Sequence, residues 1–156
     1  MASAELDRAL AGATRVLLDS STLIAFHSPR EEVHPLARHL LARIEDNTDP
    51  LAGYFSSVSA MELLVRPIKA GGSALTFMHA FLSSFPNLTL LPVDLEVAIQ
   101  AATLRAVTAV ESPDALTVAS GLLANCEAII FNDEAWGKRI QPHFRQFRWI
   151  YLRTYK

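Results

Sequence analysis

The sequence lacks the features that mark secreted and membrane proteins. Cys126 is its only cysteine, so no internal disulfide can form. No apolar run reaches the roughly 18 residues that a membrane-spanning helix needs. The N-terminus has no basic stretch leading into an apolar segment, as a secretory signal has. We therefore expect a cytoplasmic protein that makes no contact with a membrane.

The sequence also lacks a large excess of either positive or negative charge. The chain has 14 Lys and Arg against 16 Asp and Glu, a net charge of −2, so it offers no strongly basic surface for nucleic acid. This balance does not exclude a nucleic-acid enzyme, because metal ions bound to carboxylates would neutralise some of the acids counted. Basic residues that are candidates to line a phosphate path are Arg66, Lys69, Lys138 and Arg139, followed by Arg145, Arg148, Arg153 and Lys156.

Apolar residues are abundant: 51% of the 156 residues are hydrophobic, which suits one domain with a sizeable core. Short apolar runs predict strands at residues 16–18, 54–58, 88–91, 128–131 and 148–152. Apolar residues at helical spacing predict helices at residues 35–44, 59–65, 74–85, 95–110, 113–124 and 134–140. Asp94 and Ser112 are predicted to cap two of these helices, and Arg66-Pro67 is predicted to bend or end another.

The alternation of strands and helices predicts an α/β fold. We expect a central, mainly parallel five-stranded sheet with helices on both faces, which is a three-layer α/β/α sandwich. Residues 1–13 are predicted to be an added helical extension, and residues 14–156 to form the domain itself.

Four acidic residues fall near predicted strand ends, where an open parallel sheet binds its ligands. Asp19 directly follows the first strand, and Asp133 follows the fourth after one residue. Glu62 and Asp114 lie in the first turns of two helices. The sequence therefore predicts that the four carboxylates meet at one edge of the sheet.

Each of these acids also has a local explanation. Asp19 could form a turn with its own backbone, and Asp133 could be an ordinary loop residue. Ser59 and Glu62 match a capping box, and Asp114 suits the dipole at a helix N-terminus. Four converging carboxylates, in contrast, would repel one another unless a cation compensates. Carboxylate oxygens favour Mg²⁺ or Mn²⁺, and no His or Cys spacing indicates zinc.

Several stretches occur in an order that resembles a known family. They are "VLLDSSTLIAF", "SAMELLVRPIKAG", "PVDLEVAIQAATLRA", "SPDALTVASGLLANCEAIIFNDEAW" and the terminal "FRWIYL". Together they resemble a PIN domain, and most closely the VapC-type toxin ribonucleases of bacterial type II toxin–antitoxin systems. The resemblance runs from about residue 14 to the C-terminus. The pair "PDALTVAS" and "AIIFND" is its most specific part.

The resemblance implies a metal-dependent endoribonuclease that hydrolyses RNA phosphodiester bonds. It assigns catalysis and the binding of Mg²⁺ or Mn²⁺ to Asp19, Glu62, Asp114 and Asp133. Ser21 and Asn132 match positions that support the metal site in the family. The candidate RNA contacts are Arg66, Lys69, Lys138 and Arg139. Phe131 departs from the pattern, because many relatives have Thr there.

The resemblance also implies partners and leaves alternatives. A cognate antitoxin that fills the groove near the acids and a second copy of the chain are the expected protein partners, with RNA as substrate. A PIN-fold module that binds RNA or protein without cleavage remains an alternative. An Asp-based phosphotransfer protein is another, although Ser21 stands where a phosphatase of that type would need a second Asp.

Overall fold

The computed structural model describes residues 1–156 as eight α-helices around one sheet. The strands are β1 (Arg15–Leu18), β2 (Ala52–Ser56), β3 (Leu88–Leu91), β4 (Ala128–Phe131) and β5 (Arg148–Tyr151). The helices are α1 (Ala2–Ala9), α2 (Ser20–His27), α3 (His34–Glu45), α4 (Ser57–Ala70), α5 (Ser73–Ser84), α6 (Leu95–Val107), α7 (Ser112–Leu123) and α8 (Glu134–Arg139). Two short 3₁₀ segments, Gln141–His143 and Leu152–Tyr155, flank β5.

The sheet has the strand order β3-β2-β1-β4-β5, and all four strand pairs are parallel. In its centre, Leu17 lies opposite both Tyr54 and Ile129. Strands β1 and β4 are covered by helices on both faces of the sheet, which is why β4 is apolar without interruption. The predicted α/β fold with a parallel five-stranded sheet is confirmed.

Two hydrophobic clusters separate the three layers. The larger cluster joins α1 to α5 to one face of the sheet, and the smaller cluster joins α6 to α8 to the other face. Alternate residues of β1 divide between them, with Val16 and Leu18 in the larger cluster and Leu17 in the smaller. This is the period of two that a strand buried on both faces requires.

Several boundaries differ from the predictions. Helix α2 was not predicted, because three successive hydroxyl residues obscure its apolar spacing. Helix α4 continues through Pro67, where a bend or an end was predicted. The missing N–H of Pro67 leaves the Leu63 carbonyl without its usual donor four residues on, but the loss is confined to the last turn, since the helix ends three residues later. The helix ends instead at Gly71, whose positive φ of 71° suits glycine.

The predicted caps are right for one helix and wrong for two. The Asp94 side chain accepts a hydrogen bond from the Val97 amide at 2.9 Å, as predicted. Helix α4, in contrast, begins earlier than expected, and Ser56 rather than Ser59 caps it. Ser112 lies inside helix α7 rather than at its cap, which is Glu111 and uses no side-chain hydrogen bond.

Helix α1 packs onto the domain through apolar contacts and an ion-pair network. Leu6 and Leu10 are fully buried in the larger cluster. On the other side of the helix, Asp7 Oδ1 lies 2.8 Å from His39 Nε2 and 2.9 Å from Arg43 Nη1. None of the eight α-helices combines the length and the apolar character that crossing a membrane requires.

Candidate active site

Asp19 directly follows β1 and caps α2. Its amide donates to the Ile130 carbonyl of β4 at 3.0 Å, so the backbone still follows the sheet at this point. Its side chain is only 6% exposed and accepts hydrogen bonds from the Ser21 amide at 3.1 Å and from Ser21 Oγ at 2.6 Å. Burial raises the pKa of Asp19 to about 6; the Ser21 hydrogen bonds oppose this rise, and the charge of Glu62 adds to it.

Ser21 links the ends of the two central strands. Besides donating to Asp19, its hydroxyl accepts a hydrogen bond from the Asn132 amide at 2.8 Å. The neighbouring Thr22 hydroxyl donates to the Ile130 carbonyl at 2.9 Å. The hydroxyl residues after β1 therefore fix α2 to the end of β4, and Ser21 fixes the position of the Asp19 carboxylate.

Glu62 and Asp114 approach the same edge from two helices. Glu62 lies on α4, exposed and without a hydrogen bond, and its negative charge raises the pKa of both Asp19 and Asp114. Asp114, in the first turn of α7, has a raised pKa chiefly because it is half-buried. The positive charge of Arg139 opposes that rise, and its Nη2 lies 4.0 Å from Asp114 Oδ2. Glu62 therefore acts electrostatically on two of the other predicted acids, Asp19 and Asp114.

Asp133 is not drawn into this group. It caps α8, its side chain accepts a hydrogen bond from the Ala135 amide at 2.8 Å, and it is exposed. No three acidic, His or Cys side chains in the chain lie close enough to surround one cation. The structure therefore places all four acids at the carboxyl edge of the sheet, as the strand ends require, without assembling a four-carboxylate cluster.

The donor chemistry at this edge nevertheless suits a hard divalent cation. Every acidic side chain here offers only oxygen. Asn132 Oδ1 is buried and has no hydrogen-bond partner, so a further oxygen acceptor at the end of β4 is unsatisfied. A buried acceptor without a partner is costly, and a bound cation is one way to satisfy it. Phe131, which replaces the expected Thr, turns into the smaller core and stacks on Tyr151 at 5.3 Å.

The four candidate RNA contacts occupy different environments. Arg139 lies between Asp114 and Glu111, with 3.7 Å separating Arg139 Nη1 from Glu111 Oε1. Lys138 pairs with Glu134 one turn away on α8, which raises the pKa of the lysine. Arg66 and Lys69 are exposed on α4 and make no ion pair. Arg139 alone therefore contacts the group of acids directly.

A cleft of about 490 Å³ opens beside Glu62. Arg66 lines it with apolar residues of α2, α4 and α5, among them Ile24 and Met78. His27 also lines the cleft, and its Nε2 is buried without a partner. No His spacing in the sequence indicates a site, so His27 was not among the predicted residues. Recognising α2 from the apolar spacing of residues 23 and 26 would have placed it beside the site.

Comparisons with known proteins agree with this architecture. The family model described as "PIN domain" matches residues 16–139, and no curated protein matches the chain. A structure of VapC20 from Mycobacterium tuberculosis, described as a sarcin-ricin loop cleaving toxin, is similar with a TM-score of 0.61 and 17% identity, covering 79% of this chain and 93% of that one.

Two toxin–antitoxin complexes are similar as well. VapBC-1 from nontypeable Haemophilus influenzae matches with a TM-score of 0.63 and 11% identity over 89% of this chain and 98% of that one. DNA-bound VapBC from Salmonella typhimurium matches with a TM-score of 0.62 and 19% identity over 88% and 98%. At these identities the likeness concerns the fold.

The parallel sheet with acidic residues at its carboxyl edge defines an α/β protein of the PIN type. Because the family model covers most of the domain, the chain belongs to the PIN domain family.

Proposed function

We propose that this protein is a metal-dependent endoribonuclease that hydrolyses RNA phosphodiester bonds. The observation that carries the proposal is the buried carboxylate of Asp19 at the end of β1, in the electrostatic field of Glu62, whose charge also acts on Asp114. Burying a carboxylate is costly unless it is compensated, and Asp19 makes no ion pair, since Arg139 pairs with Asp114 and Glu111 instead. Such a group of acids suits a cation better than it suits packing.

We assign the binding of Mg²⁺ or Mn²⁺ to Asp19, Glu62, Asp114 and Asp133, with Asn132 Oδ1 as a further oxygen. A divalent ion held there would supply an acidified water and would stabilise charge on the phosphoryl oxygens. Glu62 is exposed and makes no hydrogen bond, so its side chain is free to turn toward a cation. Asp133 uses Oδ1 to cap α8, which leaves Oδ2 available to a cation.

The protein's own side chains have two further tasks in this proposal. Ser21 holds the Asp19 carboxylate in one orientation, because its hydroxyl is fixed by both Asp19 and the Asn132 amide. Arg139 is placed to bind a phosphate of the substrate. Its guanidinium lies 3.7 Å from Glu111 and 4.0 Å from Asp114, and a phosphate at hydrogen-bond distance would be a better partner than either carboxylate. Arg66 would meet the RNA on the opposite side of Glu62.

We further propose that the protein is the toxin of a toxin–antitoxin pair. Several proteins of similar fold are VapBC or FitAB complexes. The cleft beside Glu62 has an apolar wall formed by Ile24, Val65 and Met78, and such a wall suits a segment of an antitoxin. A homodimer is the expected assembly of the toxin.

The experiment is an RNA cleavage assay with Mg²⁺ or Mn²⁺ and with EDTA. Asp19→Asn and Asp114→Asn should each abolish cleavage, whereas Glu45→Gln, which removes a charge from the exposed surface of α3, should leave it unchanged. Cleavage that persists in EDTA, or in a folded Asp19→Asn variant, would contradict the proposal. The toxin role is tested separately: expression of the chain alone should arrest growth, and harmless expression of an active enzyme would contradict it.

The separation of Asp133 from the other acids favours a second candidate. With no three ligands gathered around one point, the chain could instead be a PIN-fold module that binds RNA or a protein without cutting. This candidate predicts RNA binding in the parent, no cleavage with either metal, and no increase in thermal stability when Mn²⁺ is added.

A further inference from the structure

A second recess lies beside β5, on the same face of the sheet as α8. Its volume is about 460 Å³, which is ample for one planar base with part of its sugar. The residues that line it are Gly137, Gln141, Pro142, Arg145, Phe147 and Trp149. Asp19, Glu62, Asp114 and Asp133 are absent from its wall, so it is distinct from the group of acids.

Trp149 gives the recess a rigid aromatic surface. Its Nε1 donates to the Phe144 carbonyl at 2.6 Å. Its ring packs edge-to-face against Phe131 and Phe147, at centroid distances of 5.8 Å and 6.2 Å. The indole is only partly buried. An aromatic ring held in this way loses little conformational entropy when a planar ligand stacks on its open part.

Two polar side chains of the recess, Arg145 and Gln141, have no partners within the protein. Arg145 is exposed and makes neither an ion pair nor a side-chain hydrogen bond, unlike Arg43, Arg139 and Arg148. Gln141 is exposed and its amide is likewise unpaired. A free guanidinium beside a fixed indole suits a ligand that combines an anionic group with a flat ring.

The recess is close to Asp133 along α8. Asp133 caps this helix, and Gly137 in the helix lines the recess. The six residues of α8 span about 9 Å at 1.5 Å per residue. A chain of nucleotides that passes Asp133 can therefore reach the recess within a few nucleotides.

We propose that this recess is a subsite for an unpaired base of single-stranded RNA near the cleavage position, with the base stacked on Trp149 and a phosphate bound by Arg145. The inference rests on the proposed ribonuclease function and adds to it a contact for one base outside the group of acids. A base inside a duplex has both faces covered by its neighbours and cannot stack on a side chain.

The test is binding of a fluorescein-labelled, single-stranded RNA decamer in EDTA, where cleavage does not interfere. Arg145→Gln should weaken binding several-fold and should lower the dependence of log Kd on log salt by about 0.7, the contribution of one phosphate of a single strand. Arg38→Gln is the matched control, because Arg38 is also exposed and unpaired but lies on α3, on the opposite face of the sheet; binding should not change.

Stacking is tested with Trp136→Phe, which leaves Trp149 as the only tryptophan. The RNA decamer should quench its fluorescence, and an abasic ribose-phosphate decamer should not. Trp149→Leu should weaken binding by about 5- to 150-fold, the range for loss of one stacked base, and its Tm shows whether it folds. Normal binding by both Arg145→Gln and a folded Trp149→Leu, without quenching, would overturn the subsite and leave the ribonuclease standing. A parent chain that binds no RNA would overturn both.

Discussion

Replacing Asp19 by Asn should stabilise the metal-free protein at neutral pH, although it removes a residue of the proposed active site. The reason is the burial of the carboxylate, which raises its pKa from 3.8 to about 6. One pKa unit corresponds to about 1.4 kcal/mol, so the ionised Asp19 destabilises the folded state at pH 7.5 by about 3 kcal/mol. Asn carries no charge and retains an oxygen that accepts the hydrogen bonds from Ser21.

The Asn variant also loses one hydrogen bond, which offsets part of this stabilisation. The Asp19 carboxylate also receives a hydrogen bond from the backbone of Ser20, and the Asn amide group cannot accept one on both sides. Loss of one such bond costs about 1 kcal/mol. The expected net stabilisation is therefore about 1 to 3 kcal/mol. At about 2 to 4 °C per kcal/mol for a chain of this size, Tm should rise by a few degrees or more.

The pH dependence gives the sign of the effect. Between pH 4 and pH 6 the unfolded chain releases the Asp19 proton while the folded chain retains it, so this group lowers the stability of the parent as pH rises. Well above pH 6 Asp19 is ionised in both the folded and the unfolded chain, and the free energy of unfolding falls no further on its account. The Asn variant lacks this decline, so its advantage should be largest at pH 7.5 and should nearly vanish at pH 4.

The assay is thermal unfolding in EDTA at both pH values, repeated with Mn²⁺. Asp133→Asn is the matched control, because Asp133 is exposed and Asn caps helices equally well. Its free energy of unfolding should change by no more than about 0.5 kcal/mol. Mn²⁺ should stabilise the parent, because it binds the folded state alone, and should not stabilise Asp19→Asn. An Asn variant that melts below the parent at pH 7.5 in EDTA would refute the reasoning.

Three further predictions concern Ser21, helix α1 and Arg139. Ser21→Ala should lower the free energy of unfolding by about 1 to 3 kcal/mol, because it leaves a buried polar group without its partner; an unchanged urea midpoint would contradict the role of Ser21 as a link. Leu6→Ala should cost about 2 to 5 kcal/mol by opening a cavity, and a cost below 1 kcal/mol in urea unfolding would show that α1 is not part of the core. Arg139→Gln should raise the pKa of Asp114 further, since the opposing positive charge is removed, and should increase KM for RNA; an unchanged KM would exclude Arg139 as a substrate contact.

The fold was predictable where apolar patterning is strong. Strand β4 is a run of four buried residues between polar neighbours, and its bounds were predicted without error. Helix α2 was missed because Ser20, Ser21 and Thr22 look like a turn in the sequence. Only the structure shows that two of these hydroxyls bond to groups more than 100 residues away.

The edge of the sheet at which the four acids lie was also predictable, because parallel strands end together. Their mutual distances were not. The orientation of Asp133 is decided by its local hydrogen bond to the Ala135 amide, and the sequence cannot weigh that bond against an absent cation. The capping of α4 failed for a related reason: Ser56, Ser57 and Ser59 are equivalent candidates until the end of β2 is known.

The link formed by Ser21 has a consequence for the order of events during synthesis. Asp19 leaves the ribosome early, but the amide that holds Ser21 belongs to Asn132, 111 residues later. The strand that precedes Asn132, β4, must pair with β1 before this bond can form. A nascent chain therefore carries its first acid long before that acid is oriented, and the candidate site is complete only when nearly all of the chain has been translated.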